Sequence, residues 1–453
     1  MNAEPVIGVW GHYADANLGD DAGPTALIHH LQRLVPTARF VLICRFPDIA
    51  RAHWSWPAHP VRRLLRGETG PWEPPAPGAQ AGVVTALDRW RRRARRIAPL
   101  RLVVRALRAV LAAARAVPAE CRFLWQSYRR LRDVDVLIVT GSNPVFDFYG
   151  GFWHAPYSVW KWSALARLSR TRLAFVSVGA GPIVSARSGR LLANVLRRAD
   201  YVSFRDEGSR RLMREYGFDG GAVYPDLAHS LPFRPPRRAP TERLRVGINP
   251  MIVHHSIFWP VHDPVRQQRY VESLAQLAAA LVAEGHDVFF YGTQKDDRVT
   301  AQEIQAAMPG TTAYPTPVFV MPASVDELLE LCAGADLLVT TRFHGAVFGV
   351  LTARPTLAIC YQVKTREVLE RAGLKAHTIG LEEVSPERLR AAFDRLRAQR
   401  DVLAAALQLH ALDLRAHLDQ QYHEIAALLR RETRPARSFP FRSRQPEAAE
   451  TRS

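Results

Sequence analysis

Continuous apolar runs of strand length alternate along the chain with longer stretches in which apolar residues recur at helical spacing. PVIGVWG (5–11), RFVLICRF (39–46), VDVLIVTGS (134–142), RLAFVSVGAG (172–181) and ADYVSFRD (199–206) are runs of the first kind, and DDAGPTALIHHLQRLV (20–35) is of the second. Strands that are apolar on both faces and separated by helices predict a parallel sheet covered on both sides. The stretch 231–244, LPFRPPRRAPTERL, carries four prolines and no period, which predicts a linker. A second alternation follows with RVGINP, DVFFYGT, ADLLVTTR and PTLAICY, separated by helical patterns around 268–284, 297–308, 324–333 and 344–352. The expected fold is therefore α/β, with two doubly wound, Rossmann-like domains in tandem: residues 1–230 and 245–430, the second ending in one or two closing helices over 385–430. The last stretch, 431–453, is polar and proline-bearing and reads as a disordered basic tail.

A chain of 453 residues exceeds the usual size of a single core, which agrees with two domains and a cleft between them. Its apolar and charged fractions are ordinary for a globular protein, but a formal net charge of +18 is not, and it points to an anionic partner. Cys44, Cys121, Cys332 and Cys360 are far apart and form no CxxC pair, so no zinc site, metal requirement or disulfide framework is expected. The start MNAEPVIGVWG reads as a first strand, not as a signal peptide, and no apolar stretch is long enough to span a bilayer. A cytoplasmic protein is the expectation.

Much of the positive charge lies in an excursion over roughly 50–132. From Arg89 to Arg132 there are 14 arginines, no lysine and one acidic residue, Glu120. Within it, PLRLVVRALRAVLAAARAV has Arg101, Arg105, Arg108 and Arg115 on one side of a predicted helix and Leu100, Val103, Val104, Leu107, Val110 and Leu111 on the other. Such a helix either packs its apolar side on the sheet and leaves the arginines solvated, or lies on an anionic membrane surface. No finger, homeodomain or aromatic RNA-binding motif is present, so nucleic acid is not an expected partner.

Ligands of open parallel sheets bind beyond the carboxyl ends of the strands, and four stretches there carry chemistry. Gly8, just before GHYADANLGDDAG, and Gly11 and Gly19 within it permit tight turns into a helix whose free amides suit an anion or a sugar hydroxyl, and Asp20 or Asp21 is either a cap or a functional carboxylate. TGSNPVFDFYGGFWH offers Gly141, Ser142 and Asn143 at a strand end and the Phe152, Trp153, His154 cluster beyond it; aromatic clusters of this kind are more often core than binding surface. Asp133 and Asp135 more readily begin a strand than hold a metal. Arg205 ends ADYVSFRD, where it can fork onto a carboxylate or phosphate or pair with Asp206. Finally, TTRFHGAVFGV places Arg342 and His344 at a strand-to-helix junction, with Lys364 at the next strand end, so a guanidinium, an imidazole and a helix N-terminus converge on one anion.

These pieces together resemble the polysaccharide pyruvyl transferase family. The resemblance is carried by Asn17-Leu18-Gly19-Asp20, SVGAGPI, SFRDEGSRRLM, YPDLAHSL and above all ADLLVTTRFHGAVFGVLTARPTLAICYQVK. It covers most of the chain outside the arginine-rich excursion and the tail, and it implies a GT-B-like arrangement of the two domains. It also implies transfer of pyruvate from phosphoenolpyruvate to two hydroxyls of a sugar, forming a cyclic ketal, with no cofactor. On that resemblance Arg205, Arg342 and His344 would grip the donor, and Asn17, Gly19 and Asp20 would face the acceptor; the places of the residues at strand ends add Lys364 to the first group and Asn143 and His154 to the second. His344 would be the general acid, with Asp20, His12 or His154 as candidate base. The acceptor would be a cell-surface polysaccharide or its lipid-linked precursor, met at the inner face of the plasma membrane through Arg89–Arg132. Many members carry a run of glycines after the strand VDVLIV, where this chain has Gly141, Ser142, Asn143 and Pro144. The alternatives that remain open are a GT-B glycosyltransferase using a nucleotide sugar and a non-catalytic, glycan-binding member of the family.

Overall fold

The structure is a computed structural model that describes residues 4–63, 117–140, 143–148, 150–233, 243–255, 262–309 and 316–430. The predicted helix over 99–117, the tail 431–453, and Gly141 and Ser142 lie wholly or mainly outside those residues.

Two parallel sheets form the frame. The first contains β1 (Val6–Trp10), β2 (Arg39–Cys44), β3 (Ala58–Pro60), β4 (Val136–Val139), β5 (Arg172–Val178), β6 (Tyr201–Phe204) and β7 (Ala222–Val223), in the order β3-β2-β1-β4-β5-β6-β7. The second contains β8 (Arg245–Asn249), β9 (Asp287–Tyr291), β10 (Phe319–Val320), β11 (Leu337–Thr340), β12 (Thr356–Cys360) and β13 (Thr378–Gly380), in the order β10-β9-β8-β11-β12-β13. Each order reverses beside its first strand, which opens a crevice at the carboxyl ends of β1 and β4 and another at those of β8 and β11. The central strands are buried on both faces, as their unbroken apolar runs require; β4 and β12 have no accessible position along their length.

The excursion between β2 and β4 is partly regular. A helix over Pro47–Trp54, the edge strand β3 and a helix over 117–131 all fall inside or at the edge of the stretch 50–132. The last two are the ordinary third strand and crossover of a doubly wound sheet. Three-residue β3 is too short to stand out as an apolar run, so the sequence pattern hides it.

The closing helix, Arg400–Arg430, does not stay with the C-terminal domain as the range 245–430 implied. Leu407 packs in the core of the second sheet, whereas Leu418, Tyr422, Ile425 and Leu429 pack in that of the first. One long helix thus crosses from one domain to the other, because its apolar positions continue beyond the surface of the domain that precedes it. Gln421 fixes the landing: its amide donates to Ser203 Oγ at 2.6 Å and its carbonyl accepts from Ser177 Oγ at 3.0 Å, all buried. Gln421→Ala strands these groups and is expected to cost about 1–3 kcal/mol in chemical denaturation. An unchanged midpoint would mean that the helix end is held by its apolar contacts alone.

The domains also share an apolar seam. Leu18, Ala22, Ala26 and Ala228 of the first pack with Phe343, Val347, Phe348 and Leu351 of the second. Leu18 N donates to Thr293 O across the seam at 3.0 Å, and Asn17 pairs with Gln294 in an isolated bridge.

Candidate active site at the domain seam

The junction TTRFHG follows from local geometry. Thr340 ends β11, Arg342 is the extended residue before the helix Phe343–Leu351, and His344 lies in its first turn. A Cβ on Gly345 would lie 2.0 Å from Thr340 Oγ1 and 2.7 Å from Asn249 Oδ1, so only glycine lets this helix start against the strand ends.

Residues two apart on a helix start do not share a face, and Arg342 and His344 diverge accordingly. Arg342 turns to the start of the helix Asp297–Ala307. Its Nε donates to Asp297 Oδ1 at 2.8 Å, its Nη2 donates to Asp296 Oδ1 at 3.1 Å, and Nη2 also meets Asp297 Oδ1. Burial opposes the charge, but Asp297 and Asp296 outweigh it and hold the guanidinium protonated. Asp297 is fully buried and also accepts from the amides of Thr293 and Gln294. The expected pairing of Arg342 with His344 about one anion is therefore absent from this form: Arg342 is the strut of the junction.

His344 turns instead to the N-terminal domain. A Cβ on Gly19 would lie 2.3 Å from its Nδ1, so the imidazole rests on the bare backbone of the first helix, Leu18–Leu34. Around it stand Arg205 from the end of β6, Lys364 from the helix Val363–Arg371, and Asp226 and His229 at the turn after β7. Arg205 and Lys364 both lie over the Phe343 ring, at 4.5 and 5.2 Å from its centroid. Arg205 Nη1 donates to Asp226 Oδ2 at 3.3 Å, and its Nε stands 3.5 Å from Asp206. That Nε, Thr140 Oγ1 and His229 Nδ1 are buried and make no hydrogen bond. Buried polar groups are rarely left so; of the three, Thr140 lines the recess at the seam. The recess between Gly19, Asp20, Thr140, Ser177, Asp226 and His344 has room for about one water.

Burial sets the protonation of the group. It drives the His344 imidazole down to about 3, with Arg205 and Lys364 adding to the effect and Asp226 opposing it. Burial likewise lowers His229 to about 4, and burial and the neighbouring Arg205 lower Lys364 to about 7. Burial would raise Asp226, but His344, Arg205 and the Ala228 amide outweigh it and keep the carboxylate low. A histidine whose folded pKa lies below its unfolded value gives full stability above about pH 6.5 and loses it as the pH falls toward the folded pKa. The loss is about 1.4 kcal/mol per pH unit for each such group. Melting temperature should consequently drop between pH 7.5 and 5.5, and His229→Gln should drop less. Equal losses in both proteins would remove His229 from this account.

Asn17 caps the first helix, accepting from Gly19 N at 3.1 Å, and its amide donates to Asp20 Oδ2 at 2.6 Å. Neither aspartate is that cap; Asp21 is buried and accepts from Ala14 N at 2.7 Å. Asn143 Nδ2 donates to Gly181 O at 2.6 Å, so it braces the loop after β5. His154 stands at the start of the helix Ala155–Ser169, near His12, Arg45 and Arg62. Among the described residues no contact joins Asn143 or His154 to the His344 group. The structure thus gathers Gly19, Asp20, Arg205, His344 and Lys364 and leaves Arg342, Asn143 and His154 elsewhere. Asp226, His229 and the Asp296–Asp297 pair were given no role by the sequence. A carboxylate and an imidazole three residues apart after a strand, in YPDLAHSL, were the available signal.

A family profile for polysaccharide pyruvyl transferase matches residues 17–362, which takes in every member of this group except Lys364. The chain belongs to the polysaccharide pyruvyl transferase family. The amylovoran biosynthesis protein AmsJ of Erwinia amylovora is 25% identical over 277 residues, which is 57% of this chain and 64% of that protein, so the match falls short of two thirds of the relative's length. Among solved structures, the UDP-GlcNAc 2-epimerase of Neisseria meningitidis bound to UDP-GlcNAc superposes with a TM-score of 0.53 at 10% identity, over 94% of this chain and 99% of that one. Anabaena Alr3699/HepE in complex with UDP does so with 0.52 at 10% identity, over 93% and 99%. At such identity the likeness concerns the fold alone, and that fold is GT-B: two Rossmann-like sheets face across one cleft.

Proposed function

We propose that this member of the family moves the pyruvyl group of phosphoenolpyruvate onto two hydroxyls of a sugar in a cell-surface polysaccharide or its lipid-linked precursor, forming a ketal. The observation that supports the reading is the buried Arg205 Nε, which makes no hydrogen bond and only a 3.5 Å ion pair with Asp206, beside Lys364 and His344 at the helix start Phe343–Leu351. A small anion entering there gains two cations and free amides.

The donor enters when the domains part and reaches Arg205 and Lys364. Its negative charge reverses the field at His344, whose pKa rises, so the imidazole takes up a proton on binding. That proton goes to the methylene carbon of the enol phosphate. One sugar hydroxyl attacks the cationic C2, losing its proton to a base, and phosphate leaves with the C–O electron pair. The second hydroxyl attacks the cationic C2 that this departure restores and gives its proton to the departing phosphate, so the ketal closes and one hydrogen phosphate is released per pyruvyl transferred. Asp20, which lines the recess, is the base best placed for this step. In this reading Arg342 positions the His344 turn and does not touch the donor.

Thermal unfolding with phosphoenolpyruvate and with UDP tests the donor. At ~100 times its dissociation constant a ligand stabilises by about 2.7 kcal/mol. Phosphoenolpyruvate should protect the wild type and fail to protect Lys364→Met. Protection by UDP alone would replace this function with glycosyl transfer. Donor protection without phosphate release in the presence of glycan acceptors would make the protein a binding member of its family.

A further inference from the structure

Three helices cover one face of the first sheet: 117–131, Ala155–Ser169 and Ala186–Arg197. They lie side by side. Lys161 Nζ meets Glu120 at 3.1 Å and the Phe123 ring at 4.6 Å, and Thr171 Oγ1 donates to Leu131 O at 2.8 Å. Their outward positions have an unusual composition. On the first helix these are Arg122, Trp125 and Arg129, with Trp125 61% exposed. Beside and along the second come Trp153 (76%), Trp160 (43%), Arg167, Leu168 (69%) and Arg170. On and just after the third come Arg187, Arg190 and Arg198. The three helices contain one acidic residue, Glu120, and it is spent on Lys161. Between the second and third helices runs an open groove lined by Trp160, Arg167, Arg170, Asn194 and Arg198. Asp200, at its end, accepts from Leu173 N.

A field of one sign on a helical face matches a surface of uniform opposite sign. Exposed indoles and a leucine among the arginines specify it further: Trp gains most at the boundary of headgroups and acyl chains, where its ring is apolar and its N–H wet. We propose that this face docks on an anionic bilayer, with the groove taking lipid phosphate and Trp125, Trp153 and Trp160 lying at headgroup level. The face is distinct from the helix predicted over 99–117. Docking would place Trp153 and His154, at the carboxyl edge of β4, beside the membrane. An acceptor carried on a lipid would then reach the cleft laterally, without leaving the bilayer. Docking of this face does not depend on the identity of the donor.

Flotation of the full-length protein with vesicles of phosphatidylglycerol and phosphatidylcholine, against phosphatidylcholine alone, tests it without any donor. Binding should require the anionic lipid and weaken with salt. The triple variant Arg167→Glu, Arg170→Glu, Arg198→Glu should lose roughly 100-fold in partitioning, and Trp153→Ser about tenfold, with melting temperatures unchanged. Equal recovery with both vesicle types would overturn the proposal, as would wild-type binding by both variants. Tighter retention on single-stranded RNA than on anionic vesicles, lost in the triple variant, would reassign the face to nucleic acid.

Discussion

Gly19→Ala is expected to reduce turnover on the order of 100-fold or more while leaving each domain folded. The added methyl would lie 2.3 Å from Nδ1, 2.4 Å from Cγ and 2.6 Å from Cβ of His344. These atoms are not the far end of a flexible side chain, so the ring cannot swing clear without its backbone. The strain is relieved by parting the domains or by turning His344 out of the group that holds Arg205, Lys364 and Asp226. Either outcome misplaces the reacting groups by about an ångström, and a displacement of that size costs on the order of 100-fold. The substitution is otherwise mild, since alanine favours the helix. Phosphate release from phosphoenolpyruvate and melting temperature should be measured together. Retained turnover would mean that this close approach is not part of the working state; a large loss of melting temperature would mean that the glycine serves folding instead.

Asp297→Ala is expected to destabilise the C-terminal domain by about 3 kcal/mol, because it leaves the largely buried Arg342 guanidinium with only Asp296 as partner. The amides of Thr293 and Gln294 lose their acceptor as well. A second variant separates the two causes. Asp297→Ala combined with Arg342→Met removes the stranded charge, and in guanidinium denaturation it should recover most of the loss. If the double variant stays as unstable as the single one, the carboxylate matters for the turn after β9 and not for the arginine. If the double variant recovers, Arg342 shapes the junction through that pair, and under the proposed function its loss should reduce donor binding through His344 without removing a donor contact.

Membership of the family is legible in the amino-acid sequence, because its blocks lie on strand ends and helix starts whose residue types are locally constrained. The strands of both sheets can be read in the same way: VLIV and TLAIC are apolar throughout because helices cover both faces. Most of the helices follow from periodicity. The short strands β3, β7, β10 and β13 do not, since two or three residues carry no period. The crossing of the helix Arg400–Arg430 between the domains is also hidden. Its sequence shows apolar positions to be buried but does not say against which domain.

The candidate site divides along the same line. His344, Arg205, Lys364, Gly19 and Asp20 were named from their places at strand ends, and they do meet. The sequence by itself determined which residues stand at the carboxyl edges of the strands, because that depends on local pattern. Only the tertiary structure decided how charges are shared among them, because pairing depends on which distant elements approach. Asp297, 45 positions before Arg342, takes the arginine that adjacency had assigned to the histidine. Asp226 and His229 acquire their meaning only when the turn after β7 is brought against the helix Phe343–Leu351. Burial then lowers the pKa of His344, and burial is a property of the assembled fold, which no single stretch of the chain contains.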